Sequence, residues 1–161
     1  MPNYRRPQVT GARFFFTVAL AQRGSRLLVD EVDRLRGAVL ATRAERPFKI
    51  DARGVLPDHL HCVWTLPPGD SAYPVRWGAI KSRFTRSIRD AGRVGFHPTE
   101  AKRLGHQVGW NPTLRRSASK VLKGDAGLWQ LRFWEHHIRD EADYWAHVRY
   151  CWFNPVKHEF V

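Results

Sequence analysis

The apolar residues of this chain come in blocks whose period changes several times between the amino and carboxyl ends. Residues 13–20, RFFFTVAL, are aromatic and β-branched almost without a break and lie between Gly11 and Gly24, so they read as a buried strand. Asp30 then offers an N-cap for a segment in which Val32, Leu35, Val39 and Leu40 recur at helical spacing and which ends before Pro47. Residues 48–56, FKIDARGVL, read as a second strand, Pro57-Asp58 as a turn, and residues 59–66, HLHCVWTL, as a third strand stopped by Pro67-Pro68. So short a connection predicts an antiparallel hairpin. From Pro74 to Asp90 the residues Trp77, Ile80, Phe84 and Ile88 share one helical face, and Arg76, Arg83, Arg86 and Arg89 fall on the other. Residues 91–126 have no strong period. After them, 127–138, GLWQLRFWEHHI, read as a fourth strand, and 140–153 as a terminal helix with Asp140 at its N-cap.

The order β-α-β-β-α-β-α predicts an α+β fold of the ferredoxin-like kind, an antiparallel sheet with helices on one face. That arrangement is shared by domains of many activities, so function has to come from particular residues. At 161 residues the chain is expected to form one domain, with 91–126 as a basic, loop-rich insertion.

Composition narrows the class of partner. Lys and Arg number 27 against 15 Asp and Glu, a net charge of +12, which favours a polyanion. Seven Trp and nine Phe in a chain that is 43% hydrophobic exclude a disordered basic tail. No uncharged apolar run approaches the roughly 20 residues of a membrane span, and MPNYRRPQVTGAR lacks the apolar core of a signal peptide, so a cytoplasmic protein without membrane contact is expected. Cys62 and Cys151 each sit in an apolar stretch and belong to no CxxC pair. They read as reduced core thiols rather than as a disulfide or a thiolate zinc site.

Two small groups of residues could carry chemistry. His59 and His61 stand two apart on a predicted strand, so both imidazoles project to one face, with Leu60 and Val63 assigned to the opposite layer; on its own, this spacing more often marks a pair of half-exposed histidines than metal ligands. Tyr150 and Asn154 stand four apart on a predicted helix and so face one point, with Pro155 placing the amide at the helix end. His147 lies three before Tyr150, where it could orient the phenol, and of His136 and His137 at most one can face that side. For a nucleic-acid backbone the candidates are Arg76, Lys81, Arg83, Arg86 and Arg89, together with Arg115, Arg116 and Lys120 from the insertion, whose charges sum to +5; Trp110 and Trp129 are candidate stackers.

The segments PDHLHCVWTLP, IKSRF, GLWQLRFWEHHIRDE and YCWFNPVKHEFV resemble the REP-associated tyrosine transposases, single-tyrosine enzymes of the HUH single-strand nuclease superfamily, over nearly the whole chain. The resemblance implies a ferredoxin-like catalytic domain in which Tyr150 is the nucleophile and His59, His61 and Asn154 hold a divalent metal. It also implies cleavage of single-stranded DNA beside hairpin-forming palindromic repeats, through a 5′-phosphotyrosine and a free 3′-hydroxyl. Imidazole and amide donors suit Mg²⁺ or Mn²⁺. The family commonly has a small or polar residue two after the tyrosine and Gly after the NPVKH run, where this chain has Trp152 and Glu159. Two other readings remain open: a noncatalytic nucleic-acid-binding module that keeps the fold, and an RNP-type RNA-binding domain, whose signature no segment matches. Monomer and homodimer are both compatible with the sequence.

Overall fold

A computed structural model describes residues 6–94 and 127–157. Its elements are β1 (Arg13–Ala19), α1 (Leu27–Asp30), α2 (Val32–Glu45), β2 (Lys49–Val55), β3 (His59–Thr65), α3 (Tyr73–Val94), β4 (Trp134–His137) and α4 (Glu141–Lys157). The four strands form one antiparallel sheet in the order β2-β3-β1-β4, which is the ferredoxin-like arrangement the sequence predicts, with α2 and α3 on one face and α4 added on the other.

The three phenylalanines of β1 explain why both faces of the sheet are covered. β1 lies between β3 and β4, and strand alternation sends Phe14, Phe16 and Val18 to one face and Phe15 to the other. The first face carries the larger core. There α2 and α3 pack together against the sheet, with Trp77 stacked on Trp64 at 4.3 Å between ring centroids and Leu28, Leu35, Ile80 and Phe84 filling around them. The opposite face carries a smaller cluster, Phe15, Ala52, Val63, Ile138, Val148 and Cys151, and α4 lies over it. Val63 is thus on the face of the histidines and not in the layer opposite, as a residue two after His61 must be. Cys62 and Cys151 are free, buried thiols, as expected, and burial pushes the Cys151 thiol up to about 12.

A bulge in β2 decides what that second face presents. The pairing with β3 shifts between Ile50 and Ala52, leaving Asp51 as the extra residue, so Ile50 faces the larger core while Ala52 and Gly54 turn to the α4 side. Asp51 accepts hydrogen bonds from Thr65 Oγ1 at 2.6 Å and from Lys49 Nζ at 2.8 Å, which hold the bulge. Gly54 is paired with His61 and touches the backbone of α4: a Cβ there would lie 3.3 Å from the Cys151 carbonyl carbon and would overlap its oxygen.

Several expected boundaries move. Asp30 does not cap α2, because its own amide already bonds to the Arg26 carbonyl at 3.0 Å in a separate turn of helix that sinks Leu28 into the core. Asp140 does cap α4, its Oδ1 accepting the Asp143 amide at 2.8 Å. The fourth strand is short: Trp129 makes a single bridge to Leu20, Leu131 is then 77% exposed where alternation would bury it, and regular pairing begins only at Trp134. The helix α3 runs past Asp90 into the expected insertion; the remainder of that insertion, with Trp110, Arg115, Arg116 and Lys120, lies outside the described residues.

Candidate active site

The hairpin β2–β3 and the helix α4 bring the two sequence-predicted groups together. His59 and His61 project to the α4 side of β3, their ring centroids 5.0 Å apart. Each imidazole is held at Nδ1. His59 donates to Asp58 Oδ1 at 2.6 Å, and His61 shares a hydrogen bond of 2.9 Å with Thr17 Oγ1, its neighbour on β1. Held in this way, both rings carry Nε2 on the side away from the anchoring oxygen, the usual arrangement for a ligating histidine. Burial draws the Asp58 carboxyl upward, but hydrogen bonds from His59 and the Gly24 amide, with Arg23 nearby, outweigh it and leave the group below its ordinary value. Asp58 therefore stays an anion behind His59.

Tyr150 stands with its ring 5.0 Å from that of His61 and 46% exposed. Asn154, one turn further along α4, is 3% exposed, and neither its Oδ1 nor its Nδ2 has a hydrogen-bond partner among the described residues. Leaving a buried amide unmet costs about 1–3 kcal/mol per group, so an amide oxygen in this state, one turn from a tyrosine that meets His61, fits a divalent metal ion as its missing partner. The Phe15 ring lies beneath the group. It stacks on His61 at 5.6 Å and meets Tyr150 edge-on at 5.7 Å.

A second cluster adjoins the first. His136, on β4 opposite Phe15, faces the α4 side, and His137 leans on Phe14 on the other face, so only one of the adjacent pair is on the side of the tyrosine. His136 Nε2 is 2.9 Å from the Asp143 carboxylate and His147 Nδ1 is 3.0 Å from it, and candidate ligand atoms of all three lie within 4.8 Å of one another. Burial raises the Asp143 carboxyl, yet His136 and the Arg139 amide hold it below its ordinary value.

The predicted DNA-binding cations fare differently. Arg76 is corrected: its guanidinium is buried, bonded to both oxygens of Asp70 at 2.6 and 2.9 Å and to the carbonyls of Arg46 and Pro47, so it ties the end of α2 to α3 and cannot meet a phosphate. Trp129 is likewise core, 4% exposed against Phe84, and not a stacking platform. Lys81 bonds to the Gln130 carbonyl, and Arg83 to Thr42 and Glu45. Arg86 is exposed and Arg89 half-buried, but α3 lies across the sheet from Tyr150. Besides Tyr150, the exposed aromatics of β4 and α4 among the described residues are Trp134, Trp145, Trp152 and Phe153; the ring of Trp134 is 5.7 Å from Phe15.

Sequence reasoning missed Asp58, Thr17, Gly54 and Asp143 as parts of the site. Asp58 directly precedes the histidine pair, and Asp143 and His147 stand at helical spacing, so both left a trace; Thr17 and Gly54 are recognisable only once strand register is known.

No protein-family model matches the chain. The Escherichia coli K12 REP-associated tyrosine transposase is 38% identical over 161 residues, covering all of this chain and 76% of that protein. A Haemophilus influenzae protein assigned to the same group is 34% identical, again over the whole of this chain and 80% of its own length. A solved REP-associated tyrosine transposase bound to a REP hairpin, 38% identical, superposes with a TM-score of 0.75 over the whole chain and 76% of its own. A Deinococcus radiodurans structure described as a transposase, 16% identical with a TM-score of 0.50 over 89% of this chain and 92% of its own, supports the fold alone. By identity, coverage and architecture together, the chain belongs to the REP-associated tyrosine transposases.

Proposed function

We propose that the chain is a metal-dependent single-stranded DNA endonuclease and strand transferase of the HUH superfamily, acting on hairpin-forming palindromic repeats in the cytoplasm. The observation that carries this reading is the Tyr150 ring 5.0 Å from His61, with the buried Asn154 amide, which has no hydrogen-bond partner among the described residues, one helical turn away. A solved family member is bound to a REP hairpin, which supports the choice of substrate.

In this reading Tyr150 Oη attacks the phosphorus of a phosphodiester, and the bond to the departing 3′ oxygen breaks as the 5′-phosphotyrosine bond forms. The phenol proton leaves to solvent, and the 3′ oxygen takes up a proton to become a hydroxyl. His59 and His61 through Nε2, and Asn154 through Oδ1, would hold a divalent ion. Bound there, Mg²⁺ or Mn²⁺ supplies Lewis-acid polarisation of the phosphate. Asp58 and Thr17 keep the imidazoles turned toward that point. The phosphotyrosine retains the energy of the broken phosphodiester, so a second 3′-hydroxyl can reverse the step on another strand without a nucleoside triphosphate. The whole chain acts as one catalytic domain, and Arg86, Arg89 and the basic residues of the 91–126 segment contribute backbone affinity. His147 supports Tyr150 indirectly, through the Phe15 ring that both touch.

The test is a denaturing gel of protein with end-labelled single-stranded hairpin oligonucleotides in Mg²⁺, Mn²⁺ or chelator. A metal-dependent covalent adduct in the wild type, absent in Tyr150→Phe, is the expected result. Salt-sensitive binding by both proteins with no adduct across a panel of repeats would replace the enzyme with a binding module that keeps the fold.

A further inference from the structure

We propose that His136, Asp143 and His147 form a second metal site, distinct from the tyrosine site and suited to a borderline transition ion such as Zn²⁺, that pins the first turns of α4 to the edge strand β4. Asp143 and His147 are four apart on α4 and share one helix face, while His136 comes from β4, whose pairing with Phe15 points its ring at that face. The carboxylate stands between the two imidazoles at 2.9 and 3.0 Å. Adjacent ligands of an ion with bonds of about 2.0–2.1 Å are separated by about 3.0–3.4 Å, so small rotations would exchange these contacts for metal bonds, His147 giving up the hydrogen bond that its Nδ1 also makes to the Asp143 carbonyl at 2.8 Å. The rings are already collected for this: His136 stacks on His147 at 4.7 Å, and Trp134 stacks on His136 at 5.9 Å. Side-chain exposures of 26%, 21% and 21% leave the cluster reachable from solvent without being freely hydrated.

The two donor groups cannot share an ion. β3 and β4 flank β1 on opposite sides, and His61 pairs with Thr17 whereas His136 pairs with Phe15, so the two histidines are two strand spacings apart across the sheet, about 9.6 Å, and two residues apart along it. Their chemistry differs as well. Two imidazoles and an amide leave room for phosphate oxygens around a hard ion, whereas two imidazoles and a carboxylate are a ligand set of Zn²⁺ and similar ions. An ion here would cross-link β4 to α4 one turn before Tyr150 and so fix the helix that carries the nucleophile. It would do so whether or not Tyr150 reacts with DNA.

The experiment uses the full chain stripped of metal and titrated with Zn²⁺, with bound metal counted by mass spectrometry and Co²⁺ absorption bands reporting the coordination. Asp143→Asn keeps an oxygen for the Arg139 amide, and His136→Gln gives a second, independent variant; circular dichroism checks that each is folded. Both should bind one equivalent of Zn²⁺ fewer than wild type, or bind that equivalent at least 100-fold more weakly, and should lose the Co²⁺ bands. The His59→Gln/His61→Gln double variant should keep them. Unchanged stoichiometry and spectrum in both Asp143→Asn and His136→Gln would overturn the proposal, as would loss of the signal only in the His59/His61 variant. Failure of the DNA-adduct assay leaves this readout untouched, so the two proposals fall separately.

Discussion

Replacing Gly54 by alanine should disable the chemistry while sparing the fold. The added Cβ overlaps the Cys151 carbonyl oxygen, and to restore ordinary contact α4 must retreat from the sheet by about 1 Å. Overpacking of this kind costs about 1–3 kcal/mol. Exchanging a strand glycine for alanine returns about 0.5–1 kcal/mol through the unfolded chain, so the net loss is at most about 2.5 kcal/mol and centres on about 1 kcal/mol. The same displacement carries Tyr150 and Asn154 away from His61, and a misplacement of about 1 Å can lower a rate about 100-fold. The assay is single-turnover cleavage of a hairpin oligonucleotide in Mn²⁺, beside thermal melting and DNA affinity of the same protein. The expected result is a rate down about 100-fold, a melting temperature lower by about 3–6 °C, and affinity within about twofold of wild type. Gly37→Ala is the control, since a Cβ at that exposed position of α2 meets nothing within 4 Å; it should raise stability by about 0.5–1 kcal/mol and leave the rate alone. A Gly54→Ala protein that cleaves at the wild-type rate would refute the idea that the close approach of α4 to β2 sets the site.

Further predictions concern single groups. Asn154→Leu should abolish or strongly slow cleavage yet raise the melting temperature of the metal-free protein, because it removes two buried polar atoms that have no partner among the described residues; a lower melting temperature would contradict this. Asp58→Asn should weaken divalent-metal binding about 10–100-fold by releasing His59, as calorimetry can measure. Asp70 is held below its ordinary value of 3.8 chiefly by the hydrogen bond from Arg76, so its contribution to stability is full above that pH and disappears as pH falls through the lower, folded-state value. Asp70→Asn should therefore cost about 3 kcal/mol in urea denaturation at pH 7 and progressively less on acidification below about pH 4; a gap that stays constant to pH 3 would exclude the linkage.

How much could be read in advance follows from what each feature depends on. The histidine pair and the Tyr150–Asn154 pair were legible because strand and helix periods fix which residues share a face, whatever surrounds them. The Asp51 bulge was not, because FKIDARGVL alternates acceptably in either phase and only pairing with β3 shows Ala52 and Gly54 turned toward α4. Arg76 misled for a related reason: helical spacing groups it with Arg83 and Arg86, but Asp70 and the carbonyls that take up its charge come from segments the helix period does not see. Residues 127–133 look like strand by composition, and they leave the sheet because Trp129 and Phe133 both pack toward the larger core while Leu131 between them points outward. The tie between His136 and Asp143 needed the register of β4.

The alternation of Phe14, Phe15 and Phe16 also bears on how such an enzyme can change. Nearly all of its large aromatic packing lies on one side of the sheet, and the tyrosine side is covered by a small cluster of six buried residues under a single helix. Substitutions that retune substrate preference or metal choice therefore fall where little folding energy is at stake, and a lineage can try many of them without first acquiring stabilising changes elsewhere. Phe15 is the exception. Its ring touches His61, Trp134, His147 and Tyr150 at once, so it is the position where drift on the chemical face should be least tolerated.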